Sequence, residues 1–445
     1  MRFRLTLLTL SLAALCLIAA GKQPPPKRAA APAPTGRIQA QSCSQADVQA
    51  AVNAAGEGDI VEIPAGNCTW STLQANTPSV AVAQKGLILQ GAGISTTVIT
   101  DQTGLNWNEV PLRIDGVAGK PFRITGLTFV GRGSAYYDSF GAVNIYGTAQ
   151  GFRVDHIEYL NIAGRSMVVS GKTYGVIDHC QFIHTYGQGI IVSDDRGTPQ
   201  GATAWTEPMS YGTDQAVFLE DNYFEWVEQA ADGPIDCKNG GRYVFRYNTV
   251  RGSGTGNHGM DSVPRSCMQM EIYNNDFATL PAHSSYAGIT SRGGSAVIFN
   301  NTISGTYQIG LGLTNYRSCC YAGAACTPNP DPPHGTCDGT NPLDGNTVPT
   351  TTYKGWPCRD QVGRGTNQSA EPVYEWNNTF NGADADIILY NNWAGCVNPQ
   401  VSDHVQLNRD YYNDTVRPGY TPYPYPHPLT ITRDKAFYLP IVQRP

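Results

Sequence analysis

Charge is scarce in this chain of 445 residues: Lys and Arg number 30, Asp and Glu 36, and the net charge is −6. A nucleic-acid binder shows a basic excess, and this chain has none. Long apolar runs are equally scarce. One opens the chain, Leu5–Ala20, behind Arg2 and Arg4. It is short for a membrane span and ends in small residues, so residues 1–20 read as a secretory signal peptide and not as a transmembrane segment. Leu15 before Cys16 is a poor match to a lipid-attachment site. Residues 21–38, rich in Pro, Ala and Lys/Arg, read as a flexible linker. The mature chain is expected to be secreted, periplasmic or at the cell surface, and monomeric.

What is abundant is a returning phrase: an alternating apolar strand, then Asn, one residue, and an apolar residue. It reads Phe218-Leu-Glu-Asp-Asn222-Tyr-Phe224, and its later copies carry Asn248, Asn275, Asn301 and Asn378. The steps from Asn222 to Asn301 are 26, 27 and 26 residues. A fixed step of that size marks a solenoid, each repeat one coil that buries its apolar face against its neighbours. Strand-like alternation with Gly, Asn and Ser turns makes it an all-β solenoid. Earlier coils carry Leu127, Ile157 and Cys180 at the Asn position, and the 77-residue step from Asn301 to Asn378 is one coil plus an insertion. The Asn column reads as scaffold, because Asn tolerates left-handed backbone and its amide bonds both the backbone and the next Asn.

The Asn ladder and the entry segment Ser42–Gly66 together resemble the right-handed parallel β-helix proteins of the pectate lyase-like superfamily. The likeness covers roughly residues 40–400. It implies an amphipathic helix capping the open end, with Ser44 and Asp47 as a helix-start pair and Val48, Ala51 and Val52 on one face. It places the β-helix at 39–400, with a disulfide-rich insertion at about 316–372 and an extended tail at 401–445 packing on the solenoid. Of twelve cysteines, Cys16 falls in the leader. Cys43 and Cys68 flank the capping helix and first strand and are expected to pair. Cys319, Cys320, Cys326, Cys337, Cys358 and Cys396 crowd the insertion and the coil after it; disulfide staples are expected there rather than zinc, with connectivity open. Cys180 reads as a buried free thiol.

A second strand in each coil begins with Gly: Gly189–Asp194, Gly233–Lys238, Gly259–Val263 and Gly288–Arg292 among them. With Ile235, Met260 and Ile289 inward, strand alternation turns Asp236, Lys238, Asp261, Thr290 and Arg292 outward. One coil separates Asp236 from Asp261, so the two are expected to stack, with His258 just before the second. Two adjacent carboxylates need a cation, a basic neighbour or a shared proton. Calcium bound by Asp236 and Asp261 is the candidate cofactor: it would neutralise a uronate carboxylate while Lys238 or Arg292 removes the proton alpha to it. A shared-proton pair would instead serve glycoside hydrolysis. In the insertion, Lys354, Trp356, Arg359 and Arg364 combine positive charge with an aromatic face and suit an acidic sugar.

The superfamily's motifs match only in pieces. Val176-Ile-Asp-His-Cys180 resembles a pectate lyase stretch without its tryptophan, and the Arg-x-Pro-x-x-Arg signature is missing. Asp194-Asp195 and His258-Gly259 resemble polygalacturonase steps, but the Asn-Thr-Asp and Arg-Ile-Lys motifs are missing. His156 and His179, 23 residues apart, read as a stacked pair in the solenoid. The resulting expectation is a lyase acting on an acidic extracellular polysaccharide. The alternatives are a polygalacturonase-type hydrolase and a non-catalytic surface or matrix protein that binds glycan.

Overall fold

The computed structural model describes residues 36–133, 140–184, 187–227, 233–259, 263–281, 283–314, 330–331, 335–336, 359–390, 401–403 and 405–431. All lie in one compact unit, residues 33–445. The expected signal peptide and the six cysteines from Cys319 to Cys396 fall outside the described residues, as do Asp261, Lys354 and Trp356.

One coil shows the plan. The strand Gly233–Lys238 joins a second sheet; the chain turns and Arg242–Arg246 joins a long sheet. Tyr247 then bends the chain, Asn248 follows, and Thr249–Arg251 stays in the same long sheet before the chain returns to the second sheet at Gly256–Asn257. Each strand pairs in parallel with its counterparts one coil before and one coil after. Three later strands, Ser285–Ser291, Tyr307–Leu313 and Ile387–Leu389, form a third sheet that a Thr255–Ile289 bridge joins to the second. Parallel pairing starts at Arg37 and runs on to Tyr411–Tyr412, past both expected limits. The register of Val297 on Tyr374 makes the 77-residue step one coil plus an insertion.

The Asn column is a buried ladder. The backbone N–H of Asn222, Asn248, Asn275 and Asn301 each donates to the Oδ1 of the next Asn, ending on Asn378, at 2.9–3.1 Å. Each Nδ2 also donates to a carbonyl, such as Asn275 to Phe245 at 2.8 Å. Left-handed backbone falls one residue earlier than expected. His156, His179, Asp221, Tyr247, Asn274, Asn300 and Asn377 all have φ between 51° and 57°. The ladder Asn is thus chosen for its amide alone, which satisfies backbone groups that the bend would otherwise strand in the core. His156 and His179 stack at 5.5 Å on this bend, as expected of scaffold.

Inside, equivalent positions repeat their ring: Phe129, Tyr159, Phe182 and Phe224 stack at 5.9, 4.8 and 4.5 Å. The helix Gln45–Ala54 buries Val48, Ala51 and Val52 against the first strands, and Ser44 caps it by accepting the Asp47 N–H. Cys43 and Cys68 form the expected disulfide, and Cys180 is a free buried thiol. Among the described residues no helix is long and apolar enough to cross a membrane.

The outer face of the long sheet is covered. Val176, Phe218, Val244, Tyr273 and Phe299 pack there against Tyr420, Tyr423 and Leu429 of the tail. Beneath the tail Arg246 pairs with Glu220 at 2.6 Å, both fully buried, and donates to the Tyr423 and Pro424 carbonyls and the Tyr273 hydroxyl.

Candidate functional site

The second sheet offers a different outer face. Its register aligns Asp115, Tyr146, Ser170, Ser193 and Lys238 in one row, and Arg113, Asn144, Val168, Ile191 and Asp236 in the next. Ile235 and Cys237 point into the core, so Asp236 and Lys238 face outward. Asp236 is nevertheless only 2% exposed. His258 Nδ1 bonds its Oδ1, and Lys238 Nζ lies 3.5 Å from its Oδ2. That second oxygen has no hydrogen-bond partner. Arg292 arrives from the coil after that of His258, two beyond Asp236, pinned by its own N–H and Nε donating to Asn257 at 2.7 Å each.

The electrostatics follow from this crowding. Burial pushes the Asp236 carboxyl up, but His258, Lys238 and Arg292 more than offset it and hold the group well below the usual carboxylate range. An ionised carboxylate only accepts, so the proton between the two groups sits on His258 Nδ1. Nε2 is then the imidazole's basic atom, and Asp236 fixes the ring's orientation.

A second disulfide, Cys237–Cys267, runs beneath this cluster. Cys237 sits between Asp236 and Lys238, and the Cys267 N–H donates to the His258 carbonyl at 3.2 Å. The crosslink therefore fastens the strand carrying two of the groups to the segment carrying the third. Two surface segments stand beside the row. Around 194–207, Arg196 pairs with Asp194 and Glu207, Lys172 also reaches Glu207, and Asp195 takes hydrogen bonds from Ser170 and Asn239. In the other, at 265–266 and 359–368, Arg265 pairs with Asp360, which Gln368 also contacts, and Trp205 donates to Ser266 O.

Asp236, Lys238, His258 and Arg292 are thus brought together as expected, but the stacking of Asp236 on Asp261 is not the register found. The strand partner of Asp236 on the next coil is Gly256. Gly252, at φ 86°, turns the chain, and the strand forms at Gly256–Asn257, ahead of the anticipated 259–263. Both Asp236 oxygens face cationic or N–H groups, a surrounding unsuited to calcium, which takes oxygen ligands. Carboxylates close enough to share a cation are found instead at Glu375, Asp386 and Asp414, several coils onward. Arg364 is 9% exposed and lies in a backbone bridge to Ala370, so it is not an open clamp for a sugar. Arg359 is half-buried beside Arg265, and both burial and that neighbour push its guanidinium down. An open groove of about 610 Å³ lies elsewhere, over the bend residues Asp221, Tyr247, Asn274 and Asn300. Amides dominate its lining, and its two carboxylates are engaged, Asp221 by the Tyr425 hydroxyl and Asp276 by Arg251.

Sequence reading missed the Cys237–Cys267 bond and the roles of Asn257 and Asp195. The first had a signal: its 30-residue separation is close to one coil, like the 25 of Cys43–Cys68. No family model and no curated protein matches the chain. Among solved structures it is similar to an alginate lyase from Paenibacillus sp. str. FPU-7, at 13% identity and TM-score 0.36 over 64% of this chain and 94% of that one. It is also similar to the catalytic domain of a GH87 alpha-1,3-glucanase in complex with tetrasaccharides, at 11% identity and TM-score 0.27 over 89% and 70%. Overlap that loose transfers no residue and no substrate.

Proposed function

We propose that this chain is a carbohydrate-active enzyme that cleaves an acidic polysaccharide by β-elimination, its stacked coils forming a right-handed parallel β-helix. The observation that carries the reading is the pairing of Lys238 and His258 with one buried, ionised carboxylate, on which Arg292 also acts through its charge. Lys238 and Arg292 supply the positive charge that a uronate carboxylate needs before the proton alpha to it becomes acidic. His258 Nε2, oriented by Asp236, accepts that proton. The C–H electron pair becomes a carbon–carbon double bond, the bond from the beta carbon to the glycosidic oxygen breaks, and that oxygen takes a proton from the Lys238 ammonium. A hydrolase would need a second carboxyl free to donate a proton. Asp236 is held ionised, and Asp194 is locked in a bidentate pair with Arg196. A glycan-binding surface without catalysis would have no reason to gather these groups under a shared crosslink.

The test is a panel of polyuronates and neutral glucans, with and without chelator, read at the absorbance of an unsaturated uronate. At least one polyuronate should give that product, and His258→Ala should lower its formation by roughly a thousand-fold. New reducing ends without unsaturation would replace the lyase by a hydrolase. Binding without cleavage across the panel would favour the interaction reading.

A further inference from the structure

The turns that lead into successive second-sheet strands carry a second, aromatic and cationic strip. Trp107 precedes Leu112–Gly116, Phe140 precedes Val143–Gly147, and Arg165 precedes Met167–Gly171. Trp107 is 41% exposed although its ring is braced edge-on by Phe140 at 5.0 Å. Arg165 lies over Phe140 at 5.6 Å and is held by Gln188 at 2.8 Å. Among the described residues Arg165 has no carboxylate partner. Beside them Arg113 covers the Tyr146 ring at 4.8 Å, steered by Asn108 and Asp115. Burial, foremost, pushes the Tyr146 phenol up to about 12, Asn144 Nδ2 donates to its hydroxyl at 3.3 Å, and Asn108, next to Trp107, holds Arg113 over its ring. The strip and the floor of the row are therefore in contact.

We infer that Trp107, Phe140, Arg165, Arg113 and Tyr146 form a binding subsite for a uronate residue of the substrate chain, set apart from the reacting linkage. The register runs Tyr146, Ser170, Ser193, Lys238, so three coils separate the subsite from Lys238. At the strand spacing of a sheet that distance is about 14 Å, or about three sugars of a chain laid along the row. The exposed indole face suits the apolar face of a pyranose ring, and the Arg165 guanidinium, which pairs with no carboxylate among the described residues, suits its carboxylate. The inference rests on the proposed roles of Lys238 and His258. A strip that merely stapled the turns together would bury Trp107.

Two measurements separate this inference from its parent. With oligouronates of two to eight units, wild-type kcat/KM should rise once the chain spans the row, and the loss caused by Trp107→Ala should grow with chain length to roughly ten-fold. Arg165→Gln should raise KM for the long oligomers at unchanged kcat, with a deficit that shrinks in salt. A loss equal at every chain length would overturn the subsite. Independently of cleavage, calorimetry of a hexauronate on His258→Ala protein should show Kd weakened roughly ten-fold when Trp107→Ala is added. An unchanged Kd, or no binding by either protein, would also overturn it.

Discussion

Arg246–Glu220 and the Asp236 cluster are both buried charge on the outer face of a sheet, and they are finished differently. Every donor of Arg246 that faces the tail has an acceptor: Glu220, the Tyr273 hydroxyl, and the carbonyls of Tyr423 and Pro424. Glu220 in turn accepts from the His427 N–H. Asp236 keeps one oxygen without a hydrogen bond, and Lys238 beside it is 18% exposed. A closed network holds the chain in one arrangement and offers a ligand nothing. An incomplete one keeps charge and donors in reserve, and that is where a substrate can complete the set.

The comparison breaks most visibly by mutating each centre. Asp236→Asn should cut turnover by roughly a thousand-fold, because the imidazole loses the acceptor that fixes its tautomer. Since cations hold this carboxyl below its usual range, its removal should lower Tm by a few degrees. Arg246→Met should do the reverse. It strands Glu220 in the dry interior at a cost of about 3–5 kcal/mol, seen in denaturant unfolding, with turnover per folded molecule unchanged. If Arg246→Met protein remained fully stable, the tail interface would not depend on the pair.

The same contrast explains what the sequence made legible. Repeat spacing fixed the coil, the ladder and the in–out alternation of Gly233–Lys238, since these follow from local periodicity. It also brought Lys238, Asp236, His258 and Arg292 to one face. It put the next strand at 259–263 instead of Gly256–Asn257 because register between coils depends on turn length, which leaves no periodic signal. Left-handed backbone was assigned to the ladder Asn instead of the preceding residue because residue type does not separate the two: Asn274, Asn300 and Asn377 precede a ladder Asn and are Asn themselves, and Asp221 and His179 tolerate the same conformation. That the tail packs on the solenoid was expected from its prolines, but that Tyr420 and Tyr423 cover the long sheet is decided by contacts across more than a hundred residues.

The two disulfides sharpen the comparison at smaller amplitude. Their loops are of similar length, 25 and 30 residues, so removing either should cost about 3 kcal/mol through the unfolded chain. Only Cys237–Cys267 ties Asp236 and Lys238 to the segment of His258. Replacing Cys237 and Cys267 by Ala should therefore lower kcat as well as Tm, whereas replacing Cys43 and Cys68 should lower Tm alone. Equal turnover per folded molecule in the two double variants would show that the inner crosslink does not position the site.

The smallest effect concerns the tail's other anchor. Glu271 lies fully buried on the covered face, accepting hydrogen bonds from the Tyr420 hydroxyl at 2.7 Å, the Gly212 N–H at 3.1 Å and Gln269 Nε2 at 3.2 Å. Burial pushes its carboxyl up to about 7, against the pull of those donors and of Arg246. A folded-state value above the unfolded one means that the native state holds the proton more tightly. The stability this contributes is complete below about pH 4.5 and is lost as pH rises through about 7. Glu271→Gln keeps the shape and removes the charge, so it should leave stability nearly unchanged at pH 4 and raise it by about 1–3 kcal/mol at pH 8. Subtracting the two unfolding curves across that range isolates this residue from the other carboxylates that titrate there. A difference that does not grow between pH 5 and pH 8 would mean that the covered face holds Glu271 as an anion, satisfied like Glu220, and that both tail anchors are finished in the same way.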